Sequence, residues 1–442
     1  MKNSYLKRIA CLLLALMLLL GTVGCGKTAT ESGAAGTQSE SDEPEEVRDL
    51  GGRTIKFLAN WTEPAKGNSD RENIYWEKKM EVQEKYNCTY EHIYLADDTV
   101  YNSFITSILS GDPMADIVSY KYNPFPAMQQ DLFYNLSSLK EFDFTDDKWL
   151  KAVSNMGTVD GKQYLMLSIK FVADNLVFYN KDVFEKYGQE DLWTLQKDGK
   201  LTLDKLIEIA TNISKASGTY SMRGDDATYA HRMFASAHGV LPIEKVDDKL
   251  DFKVNVNTAE FVAAYTQAQQ LVTSGVLSNG LDATNWSYSR SLFNAGSVPI
   301  LLGSEAIVDH FAESDFEVGM CVMPTVDGKM VTVGEDLAWC AMPYNVKEPE
   351  NVAFIWNKMT DVTFDVDYKV RFRDAVSDDA MDVIETLSKI QTSTVTPVNC
   401  DVAASVGETS TLNSMVSGSI TPAQAMQTIE PLYVAALKAY LD

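Results

Sequence analysis

The sequence predicts an α/β fold in which mostly parallel sheets are flanked by helices. From residue 54 onward, short apolar runs alternate with segments of helical period, an order typical of sheets covered on both faces. The chain has 442 residues, of which 45% are apolar, enough for a sizeable core and for two or three domains. Its net charge of −24 has the wrong sign for a nucleic-acid binder.

The first part of the folded chain shows the alternation most clearly. Residues 99–110 predict a helix because Phe104, Ile108 and Leu109 share one side. Gly111 is well placed to end that helix, since glycine readily adopts the left-handed backbone conformation found at helix ends. In order, the predicted elements are a strand at 54–58, a helix at 72–86, a strand at 88–95, a helix at 99–110 and a strand at 116–119.

The second part continues the pattern. Leu203, Leu206 and Ala210 have helical spacing, and the last helix begins with Thr421-Pro422-Ala423-Gln424, a capping box with proline at the first helical position. The predicted elements are a strand at 176–179, helices at 202–215 and 260–273, a strand at 298–302, a helix at 352–359 and a helix from 421 onward.

The N-terminus has the pattern of an export signal. Three basic residues precede an apolar run at 9–20, which is too short to span a bilayer. Small residues then lead to Cys25 as in a bacterial lipobox, although Thr22 stands where leucine is usual. We predict a lipoprotein signal peptide at 1–24 and a lipid anchor on Cys25; a plain signal peptide with an incidental cysteine is the alternative.

Residues 25–50 follow with almost no large apolar side chain. Serine, threonine, glycine, alanine and acidic residues cannot build a core, so this segment is predicted to be a flexible acidic tether. The mature chain would then lie outside the cell, held at the membrane surface by its lipid.

The folded part of the sequence singles out no catalytic pattern. There is no HExxH and no G-x-S-x-G, and the four histidines are scattered. A glycosidase carboxylate pair stays open because acidic residues are abundant, but nothing singles one out. We predict no catalytic residue, no metal site and no cofactor. Four cysteines without ordered spacing predict small buried residues, with one or two disulfides left open: Cys88, Cys321, Cys340 and Cys400.

Several segments occur in an order that points to one family. The clearest pair is DGKQYL at 160–165 and NLVFYNKDVFEKYG at 175–188. Together with the others, this pair resembles the extracellular solute-binding proteins of bacterial ABC importers, in the group that contains the maltose-binding proteins. The other segments are SGDPMADIV at 110–118, FNAGSVPILLG at 293–303, MPTVDGK at 323–329 and SITPAQA at 419–425.

The resemblance implies a two-lobe, periplasmic-binding-protein-like α/β fold of type II. The lobes would close by a hinge on a solute held in the cleft, and the closed form would be recognised by a membrane permease. It also implies a monomer that makes and breaks no bond. The implied lobe 1 is 51–170 plus 335–375 and lobe 2 is 171–334 plus 376–442, with crossings near 171–174 and 331–336.

Two departures from the family pattern concern the ligand. The usual proline after Tyr164 is replaced near Ser168. Where the maltose binders carry a tryptophan, this chain has Gly303-Ser304-Glu305, so a carboxylate replaces a stacking aromatic ring.

A sugar-binding cleft needs aromatic plates for flat C–H faces and polar side chains for hydroxyls, which are costly to desolvate without partners. Trp61 and the Tyr120–Tyr122 segment follow predicted strands, where α/β sheets present their ligands. Core packing is the alternative for Trp286 and Trp339. The predicted ligand-binding residues are Trp61, Tyr120, Tyr122, Asp174, Trp286, Glu305, Glu335, Asp336 and Trp339.

The sequence thus predicts a lipid-anchored subunit of an ABC importer that captures a carbohydrate in an interlobe cleft. The predicted carbohydrate is an oligosaccharide. Three alternatives stay open: the same fold binding a polyol, a peptide or a cationic solute; a secreted carbohydrate-cleaving enzyme; and a surface adhesin.

Overall fold

The computed structural model describes residues 48–441, apart from 68–69, 122, 170–171, 284, 286, 335–337, 362–375, 377, 388–389, 391–393 and 396–408. The predictions for the signal peptide, for Cys25 and for most of the tether lie outside the described residues. Within the described part, no helix combines the length and the apolar character that crossing a bilayer would require.

Strands and helices are labelled in chain order. The strands are β1 (Arg53–Ala59), β2 (Cys88–Tyr94), β3 (Ile117–Tyr120), β4 (Thr158–Val159), β5 (Lys162–Gln163), β6 (Leu176–Asn180), β7 (Met222–Gly224), β8 (Ile243–Lys245), β9 (Phe252–Val254), β10 (Ile300–Gly303), β11 (Val318–Val322), β12 (Val333–Gly334), β13 (Trp339–Ala341) and β14 (Thr394–Val395). The α-helices are α1 (Asp70–Lys85), α2 (Asp97–Leu109), α3 (Phe125–Gln129), α4 (Lys151–Met156), α5 (Lys181–Lys186), α6 (Leu192–Lys197), α7 (Leu203–Ser217), α8 (Tyr229–Ala237), α9 (Ala259–Thr273), α10 (Tyr288–Asn294), α11 (Pro349–Thr360), α12 (Asp378–Leu387), α13 (Thr409–Val416) and α14 (Pro422–Leu441), with 3-10 turns at Leu136–Ser138 and Glu305–Glu313.

The first sheet has the strand order β13-β3-β1-β2. β1 runs parallel to both β2 and β3, whereas β13 runs antiparallel to β3. The three parallel strands and the two helices between them lie within two residues of their predicted positions, which confirms the alternation inferred from the sequence.

Core residues cover both faces of this sheet. Successive side chains of β1 point to opposite sides and pack in two different cores. Ile55 and Phe57 pack in a core that includes residues of α1 and α11. Leu58 packs on the opposite side, in a core that includes Val100 and Phe104 of α2. Full burial of such a side chain contributes roughly 1.5–3 kcal/mol to folding.

The second sheet has the strand order β11-β6-β10-β7. β6 runs antiparallel to β10 and β11, and β10 runs parallel to β7. All five residues of β6 are buried, and Leu206, Ile209 and Ile213 of α7 lie in the same core. α7 begins where the Thr202 side chain accepts a hydrogen bond from the Lys205 amide, as the predicted helix start requires.

The chain passes from the first sheet to the second between β3 and β6, and returns between β11 and β13. Smaller two-stranded sheets pair β12 with β14, β4 with β5 and β8 with β9. The exact lobe boundaries stay a prediction.

The last helix, α14, has the predicted capping box. The Thr421 amide donates to Gln424 Oε1 at 2.9 Å, and the Gln424 amide donates to Thr421 Oγ1 at 3.2 Å. Its apolar stripe, with Met426, Ile429 and Tyr433, is buried. α14 packs on α9 and α13 and also on α3, which belongs to the segment predicted as lobe 1.

Three of the four cysteines are described, and each is buried with a free thiol: Cys88, Cys321 and Cys340. This agrees with small packing residues. Burial raises the pKa of the Cys88 thiol to about 11 and that of Cys340 to about 12. Cys400 lies outside the described residues.

Candidate ligand-binding site

The direction of the strands places one set of strand ends at a common edge in each sheet. In the first sheet, the parallel strands β1, β2 and β3 end at Ala59, Tyr94 and Tyr120, and antiparallel β13 begins opposite Tyr120 with Trp339. In the second sheet, β7, β10 and β11 run the same way and end at Gly224, Gly303 and Val322. Ligands of α/β sheets bind beyond such carboxyl ends.

The two segments that cross between the sheets are joined by the side chain of Asn175. Its Nδ2 donates to Val331 O at 2.7 Å, and its Oδ1 accepts from the Val333 amide at 3.1 Å. The Asp174 amide donates to Val333 O at 2.7 Å, and the side chain of Asn175 is almost fully buried. One amide side chain therefore fixes the outgoing and returning crossings side by side.

Glu305, the residue that replaces the family's tryptophan, lies directly beyond β10 and contacts the first crossing. Its Oε2 accepts from the Ala173 amide at 3.0 Å, and its own amide donates to Ala173 O at 2.9 Å. The side chain is buried. At least one oxygen of this carboxylate is thus occupied by the backbone of the crossing.

Trp61 lies just beyond the carboxyl end of β1 and is 41% exposed. Its ring packs edge-on against Phe57 with centroids 6.0 Å apart, and its carbonyl oxygen lies 2.8 Å from His92 Nε2. The indole is therefore supported from one side while much of its surface stays available to solvent. That Trp61 lines a ligand-binding cleft stays a prediction.

In contrast to Trp61, both Tyr120 and Trp339 are buried in the first sheet. Their rings make an edge-to-face contact with centroids 6.1 Å apart, and Tyr120 also stacks on Tyr101 at 5.5 Å. Burial raises the pKa of Tyr101 to about 12. Trp339 has no exposed surface, so this structure places it in the strand core, the alternative considered from the sequence.

The edge of the second sheet carries a charged group that the sequence did not single out. Asp225 directly follows β7 and is paired with Arg290, whose Nε and Nη2 donate to its two oxygens at 3.0 and 2.6 Å. Arg290 Nη1 also donates to His310 Nε2 at 3.1 Å. Bidentate pairing of this kind fixes both orientation and charge.

The next residue, Asp226, organises the start of α8. Its Oδ1 accepts from the amides of Thr228 and Tyr229 at 2.7 and 2.8 Å. Burial raises the pKa of Asp226, but the Arg232 guanidinium and the hydrogen bonds from Thr228 outweigh it and hold the pKa below its usual value. Tyr229 in turn donates from its hydroxyl to Asp174 O at 2.7 Å, which ties this edge to the first crossing.

Among the predicted site residues, the structure brings Asp174 and Glu305 together at the crossing. Trp61 lies at the corresponding edge of the first sheet, with Tyr120 and Trp339 buried near that edge. The other four lie outside the described residues: Tyr122, Trp286, Glu335 and Asp336.

Asp225 and Arg290 were not predicted from the sequence, because β7 has only three residues and was not recognised as a strand. The two acidic residues that follow Gly224 at the end of β7 are a sequence signal that could have indicated this edge. In the described part of the chain, no cluster of histidine, cysteine and acidic residues could hold a metal ion.

The family model of the bacterial extracellular solute-binding proteins matches residues 69–355. No curated protein matches this sequence.

Several solved structures have a similar fold. One is an extracellular solute-binding protein from Staphylococcus aureus in complex with maltose, with a TM-score of 0.64, 14% identity, and coverage of 88% of this chain and 98% of that one. Another is a cyclic alpha-maltosyl-1,6-maltose binding protein from Arthrobacter globiformis, with a TM-score of 0.63, 16% identity, and coverage of 88% and 100%. A third is an ABC substrate-binding protein from Listeria monocytogenes in complex with cycloalternan, with a TM-score of 0.58, 18% identity, and coverage of 88% and 99%.

These similarities confirm the predicted fold class, a two-lobe α/β fold of the type II periplasmic binding proteins. The family match extends over more than half of the chain and includes both crossings between the sheets. The chain therefore belongs to the bacterial extracellular solute-binding proteins.

Proposed function

We propose that this chain captures an oligosaccharide in the cleft between its lobes and delivers it to the membrane permease of an ABC importer. The observation that carries the proposal is Trp61, a supported indole that stays 41% exposed at the carboxyl edge of the first sheet. Solved proteins of similar fold hold maltose and cycloalternan, which makes a carbohydrate the best-supported solute class.

The chemistry of the two edges suits a neutral, hydroxyl-rich ligand. An exposed indole offers a flat apolar face to the C–H side of a sugar ring, and polar side chains can satisfy its hydroxyls. The acidic groups at the second edge already have partners, since Asp225 pairs with Arg290 and Asp226 with Arg232. This pairing favours a sugar over a cationic solute.

Closure of the lobes supplies the mechanism of capture. The two crossings, fixed side by side by Asn175, form a short hinge about which the lobes rotate toward each other. Binding is favourable because the closed cleft removes the sugar faces from water while its hydroxyls keep hydrogen-bond partners. Capture needs no nucleophile or general base, so we infer binding without turnover, with a dissociation constant near micromolar, or about −8 kcal/mol.

We also propose that the mature chain is a monomer anchored to the outer face of the cell membrane through lipid on Cys25, with residues 25–50 as the tether. The lipobox-like sequence before Cys25 supports this assignment. Two or three acyl chains anchor stably, whereas one anchors weakly. In a fractionation experiment, the wild-type chain should sediment with membranes and Cys25→Ala should not. Equal sedimentation of both chains would refute the lipid anchor.

A thermal-shift screen tests the solute class directly. The panel contains maltose, maltotetraose, tagatose, sorbitol, a tripeptide and spermidine. We expect the largest rise in melting temperature with an oligosaccharide, because ligand binding stabilises the folded state by mass action. A larger shift with the peptide or with spermidine would overturn the carbohydrate assignment.

A further inference from the structure

A fully buried arginine lies in β7, immediately before the residues that form the edge of the second sheet. Arg223 has no exposed surface. Its Nε donates to Ser289 Oγ at 2.8 Å, its Nη1 donates to Ser278 Oγ at 3.0 Å, and its Nη2 lies 2.8 Å from Asp282 Oδ1. The guanidinium also lies over the Tyr288 ring, 5.3 Å from its centroid. These partners all belong to residues 278–283 or to the start of α10.

Residues 278–283, named here the clamped segment, lie against the carboxyl end of β7. A Cβ atom on Gly280 would come within 2.8 Å of Ala227 Cα, so the two backbones touch directly. Ala227 follows Asp225 and Asp226, the acidic residues of the candidate site. At the other end of the connection, Arg290 pairs with Asp225. The clamped segment is thus fastened to the same edge that carries the site.

Burying a guanidinium is costly unless its donors are paired, and an apolar residue would fill this fully buried position at lower cost. Arg223 offers several donors in a rigid, planar fork, which lysine cannot reproduce. Its partners lie at the two ends of one connection, Ser278 and Asp282 at one end and Ser289 at the other, so the guanidinium ties both ends to β7. The clamped segment meanwhile exposes Leu281 and Asp282, one apolar and one acidic side chain, at 40% and 53%.

We propose that Arg223 is a positioning residue that holds the clamped segment as one wall of the ligand cleft. In this arrangement Leu281 covers an apolar face of the bound sugar, and the segment is protected when the ligand binds. The proposal rests on the proposed function and adds a ligand-contacting segment to it.

The test compares three variants with the wild-type chain, using maltotetraose as the probe. Arg223→Lys keeps the charge and removes the fork, and Asp282→Asn removes the charge of an exposed partner without altering the strand. Arg53→Lys is the matched control, because Arg53 pairs with Asp116 at the amino end of β1, away from the candidate site. Titration calorimetry measures affinity, and hydrogen exchange measures protection of the clamped segment with and without the sugar.

We expect maltotetraose to slow exchange of the clamped segment in the wild-type chain. In Arg223→Lys and Asp282→Asn, this protection should fall and affinity should drop by about 10-fold, while Arg53→Lys keeps both. A merely structural role would lower thermal stability without changing ligand-dependent protection.

Two results would overturn the inference. If the wild-type chain binds maltotetraose but exchange of the clamped segment is unchanged, the segment is not part of the cleft. If Arg223→Lys and Asp282→Asn both keep wild-type affinity and protection, Arg223 does not position the clamped segment for ligand binding. Absence of maltotetraose binding by the wild-type chain would instead refute the proposed sugar, and this inference with it.

Discussion

Replacing Asn175 with alanine removes the side chain that joins the two crossings. Two hydrogen bonds are lost. Their backbone partners, Val331 O and the Val333 amide, are left without this partner at a position where Asn175 is only 4% exposed. A buried polar group left without its partner costs about 1–3 kcal/mol, so two such groups predict a loss of about 2–6 kcal/mol in the free energy of unfolding. Water entering the space left by the amide would bring the loss toward the lower value.

The same chain offers a matched control. Gln196 of α6 is also 4% exposed, and it donates to Val322 O at 2.8 Å and accepts from the Val322 amide at 2.9 Å. This clamp has the same chemistry as that of Asn175 but joins α6 to an edge strand rather than the two crossings. Gln196→Ala should therefore lose similar stability by urea unfolding.

Ligand affinity separates the two variants. If the crossings are a hinge, loosening them increases the conformational entropy lost on closure, and Asn175→Ala should bind the preferred sugar about 3- to 10-fold more weakly. Gln196→Ala should bind it as the wild type does. Equal affinities of the two variants in titration calorimetry would refute the assignment of these segments as the hinge.

Three further predictions follow from the described residues. Trp61→Ala should weaken sugar binding by about 1–2 kcal/mol in calorimetry, because an apolar stacking face is lost; Tyr344→Ala, 50% exposed beyond the far end of β13, should not, and equal losses would contradict the site. Burial lowers the pKa of His231 from 6.5 to about 4, so the unfolded chain takes up a proton that the folded chain resists. This contribution to stability is complete above pH 6.5 and is lost as the pH falls toward 4, by about 3 kcal/mol. Between pH 6.5 and pH 4, the free energy of unfolding measured in urea should decline less steeply for His231→Gln than for the wild-type chain. Equal slopes for the two chains would contradict this role of His231. Glu305→Ala should lose about 1–3 kcal/mol because the Ala173 amide loses its acceptor, whereas Glu305→Gln keeps an acceptor and should unfold nearly as the wild type; similar losses in both would show that charge, not the hydrogen bond, matters.

The elements of the first sheet could be predicted because their signals are local. The short apolar run at 54–58 and the side shared by Phe104 and Ile108 depend only on neighbouring residues. Trp61 was predicted at the cleft for a similar reason, since a loop tryptophan after a strand has little structural need, and the structure leaves it exposed.

The family resemblance predicts where the crossings lie, but neither the Asn175 contact that joins them nor the charged edge could be predicted from local patterns. Asn175 and Val331 are 156 positions apart, and no local pattern connects them. The partners of Arg223 could not be predicted, because β7 has only three residues and is too short to be recognised from the sequence. Trp339 was ambiguous because a buried strand residue and a cleft aromatic have the same sequence surroundings, and only its packing against Tyr120 separated the two.

The proposed function requires that the chain binds an oligosaccharide and leaves it intact. Isothermal titration of the purified chain with maltotetraose, followed by chromatography of the recovered sugar, tests both parts in one sample. We predict saturable one-to-one binding with a dissociation constant near micromolar, about −8 kcal/mol, and full recovery of the intact sugar. Absence of a heat of binding would contradict capture of this sugar, and recovery of shorter sugars would contradict binding without turnover.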